Sequence, residues 1–317
     1  MFKRISLIIL LFLSFGFLKA SRTIDNGQNP KQPLRRVVID AGHGGSPGAA
    51  GKFYGASGKR MEEKDVALAI ALKLQTVINE QMPDIEVFMT RTSDVFHSPI
   101  TKANKANAAK GDLFISIHCN DVSPIRHKEI IGYTTKTVKK KGKKTTKKVP
   151  IYHTWTTPNP AIGTETYIWG VGKTKDKEEA LFENNFTDTA MLTINTSDNP
   201  AMKMINSMRT QAYAEKSRKL AETVEEEFVK SGRVSRGAKQ RDEKGIWVLQ
   251  AVAMPAILIE VGFLSDADEE EFITSEFGQQ KTAESIVQAL KRYKYSLELQ
   301  LNGGVTGKAK IITIRYH

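Results

Sequence analysis

The stretch Val37-Val38-Ile39-Asp40-Ala41-Gly42-His43-Gly44-Gly45 holds the end of a buried strand and the turn that follows it. An unbroken β-branched run is typical of a strand that is covered on both faces. The glycines after Asp40 predict a turn, and a histidine stands inside it. Outward from this stretch, apolar runs alternate with segments of helical periodicity, which indicates a parallel sheet with helices on its faces.

The remaining elements follow the same alternation. After a glycine-rich loop at residues 46–60, one helix shows an apolar face at Val66, Ile70, Leu74 and Val77. We predict further helices at residues 101–110, 202–229 and 282–293. Further strands are predicted at residues 86–90, 113–117, 163–169, 246–249 and 256–261. The fold class is therefore α/β, with three α/β/α layers around a mostly parallel central sheet of about six strands.

The N-terminus has the composition of a secretory signal. Lys3 and Arg4 precede an apolar run at residues 5–18, and Leu18-Lys19-Ala20 resembles a cleavage site. This run of about 14 residues is shorter than the roughly 20 that span a bilayer. We expect a signal peptide at residues 1–20, a flexible leader at 21–34, one domain at 35–295 and a tail at 296–317. Export to the periplasm or cell envelope follows, with membrane contact only through the signal before cleavage.

Composition narrows the class of protein. The chain has 317 residues, 40% of them apolar and 26% charged, which argues against disorder. Cys119 is the only cysteine, so an intramolecular disulfide and a multi-cysteine metal site are excluded. The net charge is +12, or about +9 without the three cations of residues 1–20. An anionic partner is indicated, and the export signal favours an envelope polymer over nucleic acid.

Two segments interrupt the alternation. Residues 134–157 predict a protruding basic hairpin with lysines near its tip, at Lys139, Lys140, Lys141, Lys143 and Lys144. It is either a solvated insertion without a specific role or a clamp on an anionic wall polymer or membrane surface. Residues 173–199 are polar and weakly periodic. In the tail, Asn302-Gly303-Gly304 suggests the turn of an edge hairpin.

Three side chains are expected to converge on one point. His43 and His118 each follow a predicted buried strand, and Glu63 opens the helix after the glycine-rich loop. Ligands of open α/β sheets bind beyond the carboxyl ends of the strands. Two histidines and a glutamate form the ligand set of a catalytic zinc site. Each residue alone is equally an ordinary turn histidine or a helix-start carboxylate.

One further carboxylate stands out. The strand Ala256–Val261 is almost wholly apolar but contains Glu260 near its carboxyl end. Burying a carboxylate is costly unless it is paired or lies at a metal site. Beside a zinc site, Glu260 would be the general base.

The order of these motifs resembles the zinc-dependent N-acetylmuramoyl-L-alanine amidase family, type 3. The resemblance covers roughly residues 35–295, apart from the two interrupting segments. It is carried by six stretches, namely Val38 to Gly45, Glu63-Lys64-Asp65-Val66-Ala67-Leu68, Leu113 to Asn120, Gly163-Thr164-Glu165-Thr166-Tyr167, Arg236-Gly237-Ala238-Lys239-Gln240 and Pro255 to Phe263.

This resemblance implies that His43, Glu63 and His118 bind zinc and that Glu260 is the catalytic carboxylate. It also implies peptidoglycan as the substrate and the amide between the lactyl group of N-acetylmuramic acid and L-alanine as the bond cleaved. Glu62 is a rival for Glu63, but the Glu-Lys-Asp-Val spacing favours Glu63. The chain departs from the family at Lys102, where an arginine is usual, so a bidentate contact there is in doubt.

A regulatory role is implied for part of the second interrupting segment. Residues 179–184, with the sequence Glu-Ala-Leu-Phe-Glu-Asn, resemble the regulatory helix of the family's cell-division amidases. By that resemblance Glu183 is a candidate plug for the open zinc position, and a coiled-coil activator protein is the implied partner. The alternative is a plain loop with a short helix, or a lid that shapes the glycan groove.

Three other functions stay open at the level of sequence. The first is a zinc peptidase that uses the same ligands on the stem peptide. The second is a non-catalytic wall-binding module, although all four proposed positions carry competent residues. The third, a secreted nucleic-acid binder, depends on the lysine hairpin alone.

Overall fold

The fold consists of a six-stranded sheet covered by helices and a separate two-stranded ribbon. The computed structural model describes residues 33–45, 61–140, 143–169, 200–241 and 246–303. The predicted signal, nearly all of the leader, residues 173–199 and the end of the tail lie outside the described residues.

The eight described strands belong to two sheets. They are β1 (Arg36–Ala41), β2 (Glu86–Met89), β3 (Leu113–Asn120), β4 (Ile125–Lys140), β5 (Lys143–Thr157), β6 (Thr164–Trp169), β7 (Ser235–Arg241) and β8 (Ala256–Phe263). The main sheet has the order β2-β1-β3-β8-β6-β7, and β4 pairs with β5. Strands β1, β2, β3 and β8 are parallel, whereas β6 is antiparallel to β8 and β7 is parallel to β6. The predicted mostly parallel sheet of six strands is confirmed.

Helices cover both faces of the main sheet. They are α1 (Glu63–Gln81), α2 (Pro99–Ala108), α3 (Pro200–Lys230), α4 (Trp247–Ala251), α5 (Ala267–Thr274) and α6 (Glu276–Gly303). Buried side chains of α1, α3 and α6 pack on one face of the sheet, and those of α2 and α4 pack on the other. The three-layer arrangement is confirmed. None of the described helices has both the length and the apolar character needed to span a bilayer.

The central strands are apolar because both of their faces are covered. Leu113, Ile115 and Ile117 of β3 point into the α1, α3 and α6 layer. Phe114 points into the α2 and α4 layer, and alternation places His118 on that same side. The strand continues through Asn120, three residues beyond its predicted end, so His118 lies within β3 near its carboxyl end.

Four expectations about the elements are wrong. Residues 246–249 are part of α4 and its N-cap, not a strand, because a short apolar run fits either structure. The sixth strand is β7, a polar edge strand that pairs only with β6 among the described strands. Helix α6 continues through Gly303, so the tail does not begin at 296 and its predicted turn is helical at Asn302. The hairpin begins at Ile125 rather than at residue 134.

The direction of β6 differs from that of the four parallel strands β1, β2, β3 and β8. A parallel β6 would deliver residue 170 to the edge of the sheet that carries His43 and His118. The observed register pairs Glu165 with Glu260 and Tyr167 with Leu258 in antiparallel fashion. Strand β6 therefore begins at the histidine edge and ends, at Trp169, at the opposite edge.

Candidate metal centre and catalytic cleft

His43 stands in a turn that requires glycine around it. Its φ is 54°, and Gly44 and Gly45 follow with φ of 115° and 83°. A positive φ is uncommon for a residue with a Cβ, and such strain is often found at functional sites. A Cβ at Gly42 would lie only 2.6 Å from the His118 ring. The missing side chain lets the two imidazoles approach, with ring centroids 4.8 Å apart.

Two buried cations hold the backbone of this turn. The Arg91 guanidinium donates to the carbonyls of Ala41 at 3.0 Å and Gly42 at 2.7 Å. Lys102 Nζ donates to the Ala41 carbonyl at 2.6 Å and pairs with buried Asp40 at 3.0 Å. Burial lowers the pKa of Lys102, and the Asp40 carboxylate opposes that shift. These single-point contacts suit an ammonium, so lysine can serve where the family usually has arginine.

Glu63, the first residue of α1, joins the two histidines. Its Oε1 lies 3.0 Å from His43 Nε2 and 3.0 Å from His118 Nδ1, and it accepts the Cys119 backbone N–H at 3.1 Å. Burial alone would raise the pKa of Glu63, but the hydrogen bonds with His118 and His43 outweigh it and hold the pKa well below its usual range. Glu63 is thus an ionised carboxylate at neutral pH. The rival Glu62 contacts Lys64 at 3.3 Å instead.

The cluster of His43, Glu63 and His118 fits a divalent metal. Their ligand atoms all lie within 4.8 Å of one another. Zinc binds imidazole nitrogen and carboxylate oxygen at about 2.0–2.2 Å, which sets donors of a tetrahedral shell roughly 3.3 Å apart. The two 3.0 Å separations are close to that value. The structure therefore brings the three predicted residues together in an arrangement that can hold a metal ion.

Glu260 lies beside this cluster. It pairs in register with His118 on the neighbouring strand, and both side chains lie on the α2 and α4 side of the sheet. Adjacent strands are about 4.8 Å apart. Half-buried Glu260 is therefore placed next to the cluster of His43, Glu63 and His118, near the carboxyl end of β8, where the sequence predicts it.

A second carboxylate, Glu165, lies opposite Glu260 in the register of β6 and β8. It is 4% exposed. Its carboxylate accepts hydrogen bonds from four side chains, Asn120, Tyr167, Arg236 and Lys239. Burial raises the pKa of Glu165, but the hydrogen bonds from Lys239 and Arg236 outweigh it and lower the pKa overall. An ionised carboxylate is therefore fixed next to Glu260.

Sequence reasoning assigned no role to Glu165. The signal was an acidic residue in the buried strand Thr164–Trp169 together with two cations three residues apart, Arg236 and Lys239, in a later segment. The partners lie 71 and 74 residues from Glu165 along the chain, and only the pairing of β6 with β7 joins them.

Replacing Glu165 with glutamine is expected to destabilise the fold at pH 7 by about 1–3 kcal/mol, because two cations lose their ionised partner. The folded-state pKa of Glu165 is depressed, so this stabilisation is present above the unfolded pKa of about 4.3 and is lost as the pH falls through the folded pKa. The melting temperatures of parent and variant, measured with chelator from pH 7 to pH 3.5, should converge.

The matched control for this experiment is Glu222→Gln, which removes one carboxylate from an exposed pair with Arg218. Its effect should stay below about 0.5 kcal/mol. A difference between parent and Glu165→Gln that stays constant down to pH 3.5 would contradict an ionic role for Glu165.

An open cleft of about 320 Å³ adjoins the metal cluster. His43 and His118 line one part of it, and much of the remainder is apolar. Phe96 and Trp247 are among its lining residues and are 58% and 54% exposed. Apolar clefts with a few convergent polar groups are typical ligand sites. The cluster therefore faces a groove that admits a substrate.

The other predicted site residues lie elsewhere. Glu183 and Lys141 are outside the described residues. Lys139, Lys140, Lys143 and Lys144 lie on the β4–β5 ribbon and do not belong to the metal cluster. Cys119 is buried in β3, and burial raises the pKa of its thiol, as expected of a packing residue rather than a nucleophile.

Comparison with known proteins identifies relatives of this chain. The model of the Amidase_3 family, described as N-acetylmuramoyl-L-alanine amidase, matches residues 37–292. The chain is 30% identical over 271 residues to the N-acetylmuramoyl-L-alanine amidase AmiC of Neisseria meningitidis serogroup B, which is 84% of this chain and 54% of AmiC. It is 28% identical over 259 residues to AmiC of Escherichia coli O6:H1, or 81% and 52% of the two chains. The chain spans about half the length of these curated relatives.

A solved structure has the same architecture. The N-acetylmuramoyl-L-alanine amidase from Clostridium difficile 630 is 27% identical to this chain, with a TM-score of 0.52. The match covers 83% of this chain and 98% of that one.

Proposed function

Because this chain belongs to the N-acetylmuramoyl-L-alanine amidase family, we propose that it is an exported zinc hydrolase of peptidoglycan. The bond cleaved is the amide between the lactyl group of N-acetylmuramic acid and L-alanine. This cleavage would serve cell separation or wall remodelling. The observation that carries this proposal is the buried Glu63 carboxylate, shared by His43 and His118 at the side of an open cleft.

The residues divide the reaction between them. His43, Glu63 and His118 would hold the zinc ion, which when bound would supply a Lewis acid for the carbonyl oxygen and make water easier to deprotonate near neutral pH. Glu260 accepts a proton from the attacking water as oxygen adds to the lactyl carbonyl carbon. The carbon–nitrogen bond then breaks, and Glu260 returns the proton to the amine of L-alanine. Glu165, anchored by Arg236 and Lys239, fixes the strand that lies against Glu260.

Digestion of purified sacculi tests this function. With zinc present, the products should be stem peptides with a free L-alanine amino terminus and glycan strands with intact lactyl groups. Chelator should stop the reaction, and added zinc should restore it. A zinc peptidase would leave L-alanine attached to muramic acid, and a wall-binding module would release no peptide. Either outcome would refute the proposal.

Autoinhibition by Glu183, with release by a coiled-coil activator protein, stays part of the proposal. Its support is the resemblance of residues 179–184 and the chemistry of carboxylates, which are good zinc ligands and would displace the reacting water. Strand β6 ends with Trp169 at the edge opposite the metal cluster. Trp169 lies four residues from Glu165, the partner of Glu260, and hence about 13 Å from the level of Glu260 at 3.3 Å per residue. The fourteen residues from 170 to 183 can span at most about 50 Å, so their length permits the contact.

Glu183→Ala, or deletion of residues 178–189, is expected to raise basal digestion of sacculi because the metal position becomes free. Glu179→Ala is the matched control in the same segment and should leave the rate unchanged. If both Glu183 variants fold, bind zinc and digest sacculi no faster than the parent, autoinhibition by Glu183 is wrong.

A further inference from the structure

The β4–β5 ribbon carries the excess positive charge of the chain. Residues 125–157 contain nine lysines and Arg126 against one acidic residue, Glu129, a net charge of +9. The whole chain carries +12, of which residues 1–20 contribute three. The formal charges of residues 21–124 and 158–317 therefore cancel, and the ribbon is a cationic arm that carries the whole net charge of residues 21–317.

Strand pairing sets lysines opposite one another in this ribbon. Lys136 pairs with Lys147, and Lys139 pairs with Lys144. Because Lys139 is three residues from Lys136, the two pairs lie on opposite faces of the ribbon. Like charges directly opposite each other destabilise an antiparallel pair. No residue from 125 to 157 with described burial is buried, so a core does not compensate. An isolated two-stranded hairpin is only marginally stable in water. Anions bound between the lysines would replace the repulsion between lysines with attraction.

The base of the ribbon adds flat aromatic surface. On one face, Trp155 stacks on His127 and His153 with ring centroids 5.2 Å and 5.5 Å apart. On the other face, Lys148 lies 4.5 Å from the Tyr133 ring centre. Trp155 is 40% exposed and Tyr133 56% exposed.

The ribbon starts at the catalytic edge of the sheet. Only residues 121–124 separate Asn120, which donates to Glu165, from Ile125 at the start of β4. At about 3.3 Å per residue, the 16 residues of β4 extend roughly 50 Å. Cationic and aromatic groups thus continue outward from the edge that holds the metal cluster.

We propose that the ribbon is an arm that binds peptidoglycan itself, with its lysines on the carboxylates of the stem peptides. The proposal depends on the proposed function for its choice of polymer. Many weak ionic contacts along one arm suit a network whose carboxylates recur, because linked sites reinforce one another. Insertion into a membrane surface uses Trp, Phe or Leu, whereas residues 134–149 offer only Val138 and Val149 among lysines and threonines.

Sedimentation with purified sacculi tests the arm in the full chain carrying Glu260→Gln, so binding is read without hydrolysis. Replacing Lys136, Lys139, Lys144 and Lys147 with glutamine should weaken binding about tenfold or more at low ionic strength. Near 1 M salt, where the screening length is about 3 Å, the difference should vanish. The matched control replaces four exposed cations outside the ribbon, Lys110, Arg218, Lys230 and Lys281, and should bind like the parent.

A variant with arginine at the same four ribbon positions should bind sacculi like the parent. This variant distinguishes an effect of charge from an effect of misfolding of the ribbon. Sacculi whose carboxylates are capped with carbodiimide and ammonia should bind the parent as weakly as the glutamine variant. Sacculi stripped of phosphate-linked polymers with hydrofluoric acid should bind the parent fully. Three outcomes would each overturn the proposal. They are an equal loss of binding in the ribbon and control variants, full binding of the parent to capped sacculi, and binding of the parent to phosphatidylglycerol vesicles but not to sacculi. None of these readouts depends on which bond the enzyme cleaves.

Discussion

Replacing His118 with alanine is expected to abolish tight zinc binding and amide hydrolysis. His118 is one of the three proposed ligands, and its Nδ1 lies 3.0 Å from Glu63 Oε1. Loss of an outer-shell partner of a metal ligand already costs about 10–100-fold in metal affinity or activity. Loss of the ligand itself should exceed that range, and His43→Ala should behave in the same way. Zinc content after dialysis against a weak chelator and digestion of sacculi measure the two losses.

The control for this prediction is His153→Ala, which removes an imidazole from the ribbon and should retain one zinc ion per chain. Circular dichroism should show the same helix content in all three variants. A His118→Ala protein that keeps stoichiometric zinc after dialysis would show that the cluster is not the metal site.

Glu260→Gln is expected to keep zinc but to lower the turnover number by about 10²–10⁴-fold, the usual contribution of a general base. Glutamine has nearly the same shape as glutamate but cannot accept the proton from water. Glu260 lies next to His118 in the sheet without belonging to the cluster of ligand atoms, so zinc content should be unchanged. Single-turnover digestion of a soluble muramyl peptide measures the chemical step.

The outcome that would contradict this role is a Glu260→Gln enzyme with near-normal turnover. The matched control is Glu222→Gln, which removes an exposed carboxylate on α3 and should retain full activity.

The metal cluster could be predicted from sequence because each of its residues has a local signal. His43 and His118 stand at the ends of apolar runs, and Glu63 opens a helix with a clear apolar face. The ends of parallel strands meet at one edge of the sheet, so these signals indicated that the three side chains could converge. Each signal alone is weak, and the order of the family motifs implied their shared role.

The direction of β6 could not be predicted in this way. The sequence Thr164–Trp169 shows that a strand forms, but alternation and burial are the same for either direction. Strand β7 was missed because Ser235–Arg241 is polar and contains no β-branched residue, as its edge position allows. Glu165 was missed because its partners are contributed by that unrecognised strand.

The charge distribution of the ribbon has a consequence for how the enzyme meets its substrate. A net charge of +9 on one arm, against a net charge of zero for the rest of residues 21–317, gives that part of the molecule a strong electric dipole. In the field of a polyanionic wall such a molecule is attracted and rotated so that the arm arrives first. Since the arm begins only four residues after Asn120, at the edge that holds His43, Glu63 and His118, attraction of the arm also brings that edge near the polymer. The association rate should therefore decrease as ionic strength increases, while the rate of the chemical step stays the same.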